Sequence, residues 1–187
     1  LIAESDDDNE PHDDWAHMMS EPVMPTCLQG NPDVSQPVNI YHYFSDEGLW
    51  PRGFPLKSLH APALELDHGR FPDKPIWIVQ GLADGEPDVD AIFRLVYESR
   101  ERQFGRALTV CLNPGEWCPF NSQNTLWHSP AFPYLYLPYT VSFRFTDILR
   151  SYVAQRGIWA MGGIVAHTRS TVYQERNPHD PLRDFED

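Results

Sequence analysis

The sequence predicts an α/β fold in which strands and helices alternate along the chain. Apolar runs of strand length lie at Lys74–Leu82 and Ala107–Leu112, a helical pattern covers Thr146–Arg156, and Ile164–Tyr173 is rich in β-formers. Continuous apolar runs of this length are typical of strands buried on both faces of a sheet. With 187 residues, of which 41% are apolar, the chain is long enough for one core, and we expect a single domain over residues 1–187.

The predicted elements follow one another with clear turn signals. Leu1–Ala3 is an apolar lead-in that we expect to be a buried strand, and residues 9–39 are proline-rich and predicted to be mostly loop. After the strand at Lys74–Leu82, Asp84-Gly85 signals a turn. The acidic, proline-containing stretch that comes next is typical of the first turn of a short helix, here Val89–Leu95.

The helix predicted at Thr146–Arg156 is capped by Thr146 and stopped by Gly157. Its expected buried face consists of apolar residues at helical spacing, namely Ile148, Leu149, Tyr152 and Val153. The long proline-rich stretch Pro130–Pro138 is more typical of a binding-site wall than of a linker. Together these elements predict a mixed sheet with flanking helices and long Pro-rich loops.

Composition narrows the class of function. The net charge of −13 argues against nucleic acid or an anionic membrane surface as the main partner. Three cysteines without a CxxC pair are too few for a disulfide framework. No apolar run approaches the roughly 20 residues of a spanning helix, and there is no signal peptide. The first predicted strand reads as if it began before Leu1. We therefore expect a longer protein whose missing N-terminal part carries an anchor or targeting segment.

Three consecutive carboxylates, Asp6, Asp7 and Asp8, follow the apolar lead-in. In an extended strand Asp6 and Asp8 would point to the same side, a geometry suited to a hard divalent cation with oxygen ligands. A solvated acidic tail is the alternative, and composition alone favours it. The apolar residues before the run favour the cation site.

The sequence resembles a known family at this point. The acidic run looks like the DxD motif of nucleotide-sugar-dependent glycosyltransferases with the GT-A fold, and the chain as a whole is similar to the STELLO family. A more distant similarity connects it to the reversibly glycosylated polypeptides that act as UDP-arabinopyranose mutases. The stretches that carry the resemblance, besides the acidic run, are Trp50–Leu56, Val79–Leu95, Pro119–Trp127, Val141–Arg156 and Ser170–Asp180. The resemblance implies the C-terminal part of a GT-A-like domain, beginning at the DxD strand and lacking the nucleotide-binding half.

The resemblance also implies a metal site. His167, on a late strand, matches the histidine that often completes the metal shell in GT-A enzymes, beside Asp6 and Asp8. Two carboxylates and an imidazole suit Mn²⁺ better than Mg²⁺. A buried histidine bonded to a backbone carbonyl is the structural alternative.

The catalytic base implied by the resemblance is Asp147, at the start of the predicted helix. General-base catalysis of this type contributes about 10²- to 10⁴-fold. Interaction of the carboxylate with the helix dipole is the alternative, worth less than about 1 kcal/mol on an exposed surface. The sequence does not separate the two.

Contacts to the nucleotide sugar are expected from loops. Arg52 lies between a proline and a glycine, where a guanidinium can be directed at phosphate or sugar. Arg169 and Arg176 lie beyond His167, where GT-A enzymes often fold a loop over the diphosphate. Candidate sugar-binding residues are carboxylates and amides: Asp88, Asp90, Asn121, Gln123 and Asn124. The two aspartates are equally well explained as acids at a helix start.

These residues lead to three functional hypotheses. The first is a metal-dependent glycosyltransferase with a nucleotide-diphosphate sugar as donor and a glycan or protein as acceptor. The family's links to the Golgi and to cellulose synthase assembly imply a second, a lumenal assembly factor for polysaccharide synthase complexes with a vestigial site. The third is mutase-like self-glycosylation on an arginine.

Overall fold

The fold was described from a computed structural model. It covers residues 1–16, 25–31, 33–97, 100–175 and 182. The strands in this part of the chain are β1 (Ile2–Ser5), β2 (Asn9–Pro11), β3 (Pro25–Leu28), β4 (Gln36–Pro37), β5 (Leu66–Asp67), β6 (Ile76–Gly85), β7 (Thr109–Leu112), β8 (Glu116–Trp117), β9 (Asn124–Trp127) and β10 (Ile164–Gln174). The α-helices are α1 (Ala91–Val96) and α2 (Thr146–Met161), and short 3-10 helices occur at Ile40–Tyr43, Leu56–Ser58 and Ser129–Leu135.

An eight-stranded mixed sheet forms the centre of the described structure. Its order is β1-β9-β6-β10-β7-β3-β5, with β2 also paired to β10, while β4 and β8 form a separate parallel pair. The pairs β6–β10 and β3–β7 are parallel, and the other pairs of the large sheet are antiparallel. The predicted α/β class with a mixed sheet is confirmed.

The segments predicted as strands at Lys74–Leu82 and Ile164–Tyr173 form the two central strands of the sheet, β6 and β10. β6 and β10 pair along most of their length, and β10 changes its second partner from β7 to β2 near a register shift between Thr168 and Val172. The strand at Lys74–Leu82 was predicted correctly but ends later, because the chain reverses only at Gly85, whose φ is +83°. The predicted strands at 107–112 and 164–173 are confirmed, as is the short helix near 89–95.

The helix prediction at Thr146–Arg156 was right in place and wrong in detail. α2 continues to Met161 and ends at Gly162, whose φ is +95°. Gly157 therefore does not end the helix but lies inside α2. Glycine is required there because the Tyr134 ring packs against this position, and a Cβ would lie 2.1 Å from Tyr134 Oη. The Thr146 hydroxyl does not cap the helix but donates to the Pro138 carbonyl at 2.8 Å.

The buried face of α2 also differs from the prediction. Val153 is 55% exposed, whereas the buried residues are largely polar: Asp147, Ile148, Arg150, Ser151, Ala154, Gln155 and Ile158. Asp147, Arg150 and Gln155 are accommodated by hydrogen bonds to partners elsewhere in the chain, and Ser151 by a bond to the helix backbone.

Two apolar clusters lie side by side on one face of the sheet. One surrounds Leu82, Val110 and Leu112, and the other joins Ile78 and Val165 to α2 and to the 3-10 helix at Ser129–Leu135. Among the described residues, no helix combines the length and the apolar character that crossing a bilayer requires.

Candidate functional site

The guanidinium of Arg52 lies between two carboxylates at the edge of the sheet. Arg52 Nε donates to both oxygens of Asp88, at 3.2 and 2.9 Å. Its terminal nitrogens donate to Asp147, Nη1 to Oδ1 at 3.1 Å and Nη2 to Oδ2 at 2.8 Å. One guanidinium therefore connects the loop before α1 to the start of α2.

Glycine and backbone contacts hold the Arg52 loop against α2. Arg52 Nη1 also donates to the Arg144 carbonyl. Gly53 has φ +79°, and a Cβ at this position would lie 2.5 Å from Cγ2 of Ile148. The loop therefore requires glycine for both its conformation and its close approach to the helix.

The environment keeps Arg52 charged. Burial alone would lower the pKa of Arg52, but the carboxylates of Asp88 and Asp147 outweigh it and raise that pKa. Charge-assisted, two-sided pairing of this kind fixes geometry as well as charge.

Asp147, the predicted base, is fully engaged in hydrogen bonds. Oδ1 accepts from Ile148 N at 2.9 Å as well as from Arg52, and Oδ2 accepts from Ser122 N at 3.3 Å. The bond to Ile148 N is consistent with the alternative role of Asp147, an interaction with the start of the helix. The bonds from Arg52 add a contact between parts of the chain that are distant in sequence. To accept a proton from a bound molecule, Asp147 would have to give up one of these bonds.

An amide network continues from Asp88. Asn121 Nδ2 donates to Asp88 Oδ2 at 2.8 Å, and Asn121 Oδ1 accepts from Gln123 N at 3.0 Å. Gln80, from the middle of β6, accepts from Asn121 N at 3.2 Å and thereby fixes the loop before β9. The predicted pair Asn121 and Gln123 thus lies together beside Asp88.

The acidic run reaches the same network by another route. Gln123 donates to Gln174 Oε1, and Gln174 Nε2 donates to both oxygens of Asp8, at 3.2 and 3.3 Å. The strand before the run is not buried as expected, since β1 is a sheet edge with Leu1 63% and Ile2 40% exposed.

The acidic run itself forms a turn and does not continue the strand. β1 ends at Ser5, Asp6 N donates to the Gln123 carbonyl at 3.2 Å, and Asn9 N donates back to the Asp6 carbonyl at 3.4 Å. The strand alternation expected for Asp6 and Asp8 is therefore wrong. The turn instead places the run beside Gln123.

Asp6 has the most perturbed carboxyl in this region. Partial desolvation, followed by repulsion from Asp88, Asp8 and Asp147, raises the pKa of Asp6 to about 6, against a smaller opposing effect of Arg52. Asp6 is exposed as a whole residue, and its carboxylate lies near the negative charges of Asp88, Asp8 and Asp147. Two of these carboxylates, those of Asp88 and Asp147, are paired with Arg52.

His167 lies in a small cleft on the same face of the sheet. It is 1% exposed, and neither Nδ1 nor Nε2 has a hydrogen-bond partner among the described residues. Burial lowers the pKa of His167 to about 3, so its ring is neutral. The structural alternative, a bond to a backbone carbonyl, is thus not what the described residues show.

The cleft around His167 has a volume of about 20 Å³, space for about one water molecule. Its polar lining includes Gln80, Asp88, Asn121 and Gln123. No group of three or more histidine, cysteine, aspartate or glutamate side chains is arranged to hold a metal ion within the described ranges. Asp6, Asp8 and His167 thus do not form a preassembled ligand set.

Two predicted contact residues have other roles in the structure. Asn124 is fully buried on the opposite face of the sheet from Gln123, where Nδ2 donates to Thr171 Oγ1 and to the Leu82 carbonyl. Asp90 caps α1 by accepting from Ile92 N at 2.9 Å. These bonds account for both side chains structurally, as the alternative reading of Asp90 anticipated.

Of the two arginines expected to contact the diphosphate beyond His167, the structure describes one. Arg169 Nη2 donates to Asp14 Oδ2 at 3.3 Å. Arg176 lies outside the described residues.

Sequence reasoning missed two contributors. Gln80 and Gln174 are buried polar residues in strands, and a glutamine inside an apolar run was the available signal for Gln80. Arg150, which flanks Asp147 and was considered as its ion-pair partner, as a phosphate contact or as an exposed surface arginine, is instead buried. It makes bonds of 2.8 and 2.9 Å to Glu4, lies 4.9 Å from the Trp127 ring centroid, and bonds to Ser122 Oγ at 2.9 Å. This pairing fixes β1, and with it the acidic run, to α2.

Comparison with known proteins finds two plant proteins that are similar to this chain in sequence. No family model matches the chain. It is 35% identical over 160 residues to a protein of Arabidopsis thaliana named probable glycosyltransferase STELLO2, a match covering 80% of this chain and 20% of that protein. It is 37% identical over 138 residues to probable glycosyltransferase STELLO1 from the same plant, covering 69% of this chain and 17% of that protein.

The mixed α/β sheet and these matches define a glycosyltransferase-like class of protein. Within it, the predicted resemblance is confirmed, and the chain is a STELLO-family, glycosyltransferase-like sequence. It spans about a fifth of the length of these relatives.

Proposed function

We propose that the chain contributes the metal- and sugar-binding part of a glycosyltransferase that uses a nucleotide-diphosphate sugar. The similarity to two proteins named as probable glycosyltransferases supports the class. The observation that carries the proposal is a group of carboxylates in which Asp6 lies near Asp8, Asp88 and Asp147, while Arg52 pairs with the last two. An excess of carboxylates at a sheet edge favours binding of a divalent cation.

The residue types proposed as ligands, two carboxylates and an imidazole, suit Mn²⁺ better than Mg²⁺. Asp6 has a raised pKa of about 6, which a nearby cation would lower, and His167 has a neutral ring with unpaired nitrogens. Asp6, Asp8 and His167 would hold the ion, which when bound would neutralise charge on the diphosphate. Side chains must move to gather these ligands, since the described residues contain no preassembled group.

The other side chains have roles in binding and proton transfer. Asn121 and Gln123 would bind sugar hydroxyls, and the bond from Asn121 to Asp88, which orients the Asn121 amide, supports this role. Asp147 accepts the proton of the acceptor hydroxyl at Oδ2, in place of the bond from Ser122 N, while the bond from Arg52 holds the carboxylate in position. Arg169 and Arg176 are proposed to contact the diphosphate, and Asn124 and Asp90 act on the site through the strand and helix they stabilise.

Calorimetric titration of the chain with UDP in the presence of MnCl₂ tests the metal site. We expect Asp8→Ala and His167→Ala to abolish Mn²⁺-dependent binding, whereas Asp7→Ala, a matched change in the same acidic run, retains it. Unchanged affinity in both Asp8→Ala and His167→Ala would contradict the assignment.

Intact-mass spectrometry after incubation with UDP-sugars and MnCl₂ separates transfer from self-glycosylation. Release of free UDP without an adduct supports transfer to water or an added acceptor. A hexose or pentose adduct on the protein supports the mutase-like alternative.

A second function, partner binding during assembly of a polysaccharide synthase complex in the Golgi lumen, has one observation in its favour. The segment before α2 exposes aromatic side chains, with Tyr139 85%, Phe143 92% and Tyr136 65% exposed. Contiguous exposed aromatics are typical of interaction surfaces. Loss of synthase co-purification on replacing Tyr139 and Phe143 by serine, with UDP binding retained, would support this function.

A further inference from the structure

A separate pocket lies along one side of α2, and its lining includes none of the four aspartates of the candidate site. It is lined by Trp117, Tyr152, Gln155, Arg156 and Trp159, with a volume of about 170 Å³. The four helical residues are spaced i, i+3, i+4 and i+7, so they share one face of α2. Trp117, from β8, closes the pocket with its ring 5.5 Å from that of Tyr152 and inclined by 70°.

The aromatic walls are fixed before any ligand binds. Tyr152 Oη donates to the Gly53 carbonyl at 2.6 Å, and Trp159 packs against the apolar cluster under α2. Gln155 accepts from Cys118 N at 3.2 Å and donates to the Ser151 carbonyl at 3.1 Å. A preorganised aromatic pocket loses little conformational entropy on binding.

One charged group of the pocket is left over as a donor. Arg156 is exposed and makes no hydrogen bond or ion pair within the described part of the chain, although the other described arginines do. Its guanidinium can therefore pair with the carboxylate of a bound molecule.

We propose that this pocket binds one uronic acid residue of an acidic glycan. The size fits a single six-membered ring and is below the several hundred Å³ typical of pockets for larger ligands. Aromatic faces contact the apolar C–H face of a pyranose, while Arg156 pairs with the carboxylate. A neutral sugar would leave Arg156 unpaired.

The test is calorimetric titration of the chain with tetragalacturonate and with its methyl ester, which keeps the rings but removes the charge. Tetragalacturonate is expected to bind and to shift the Trp159 indole N–H resonance, and the ester to bind at least about tenfold more weakly. Arg156→Gln should reduce tetragalacturonate affinity to that of the ester, whereas Arg70→Gln, a matched change at another exposed arginine, should not.

No binding, equal binding of acid and ester, or full affinity in Arg156→Gln would overturn the proposal. The titration contains neither metal nor nucleotide sugar. Its outcome is therefore independent of the glycosyltransferase proposal.

Discussion

At the scale of single residues, charge balance dominates the candidate site. Arg52 pairs with Asp88 and Asp147, but Asp6 and Asp8 lie close enough to add to the same negative potential. A chain selected for stability alone would place fewer carboxylates here. Repulsion among the surplus carboxylates destabilises the folded state, and a bound cation would offset this effect.

Asp6→Asn is therefore expected to stabilise the metal-free protein above about pH 6. The pKa of Asp6 in the folded state, about 6, lies above its ordinary value of 3.8. Ionisation thus penalises the folded state, and the stability present below the ordinary pKa is lost as the pH rises through about 6. Urea unfolding with EDTA at about pH 8 and about pH 4 should show a gain that shrinks towards acid.

Asp7→Asn is the control for Asp6→Asn, since it removes the same charge one residue away. An identical pH-dependent gain in both variants would show that general charge repulsion, not the position of Asp6, is responsible.

Arg52→Gln should be strongly destabilising because it leaves two largely buried carboxylates without their cation. The exposed fractions of the Arg52, Asp88 and Asp147 side chains are 22%, 11% and 12%. Removing one partner of such a pair costs on the order of 3 kcal/mol. Arg100→Gln removes an exposed ion pair with Glu47 and should cost only about 0–1 kcal/mol. Equal losses of unfolding free energy in urea titrations would refute the bridging role of Arg52.

At the scale of elements, sequence patterns identified the strands better than the helix face. β6 was predictable because a continuous apolar run satisfies a strand covered on both faces, and β10 because its sequence is rich in β-formers. The buried face of α2 was not, because Arg150 and Asp147 find partners far away in sequence, at Glu4 and Arg52. No local pattern encodes such pairings.

The candidate site shows the same limit. The acidic run, Asn121 and Gln123 were identified from residue type, and the structure gathers them beside Asp88. Asn124 was also identified from residue type, but strand alternation turns it to the opposite face from Gln123. The Gln174 link between Asp8 and Gln123 depends on strand order, which the sequence does not reveal.

Gly157→Ala tests the packing of α2 against the 3-10 helix at Ser129–Leu135. Alanine normally improves a helix interior by about 1 kcal/mol. Here its Cβ would lie 2.1 Å from Tyr134 Oη, so we expect a net loss of about 1–3 kcal/mol. In a Tyr134→Ala background the same substitution should become neutral or stabilising. A thermal-unfolding cycle of the four proteins measures this coupling, and stabilisation by Gly157→Ala alone would contradict the packing.

At the scale of the whole molecule, the candidate site lies where separate parts of the chain converge. The two apolar clusters occupy neighbouring areas of one sheet face, and the cleft contacts both through Tyr41 and Phe120. Loops from both clusters, together with the start of α2, supply the polar groups. Polar residues at such a junction are positioned by the cores on either side.

The net charge of −13 and the local carboxylate group predict two distinguishable responses to salt. NaCl should raise the melting temperature of the metal-free protein by screening overall repulsion. MnCl₂ at the same ionic strength should raise it further, because an ion that binds only the folded state adds its binding free energy to stability. Asp8→Asn should remove the additional Mn²⁺ effect and keep the NaCl effect, and Asp7→Asn should keep both. If MnCl₂ and NaCl stabilise the wild-type chain equally in scanning calorimetry, the carboxylates act as a diffuse acidic surface and not as a cation site.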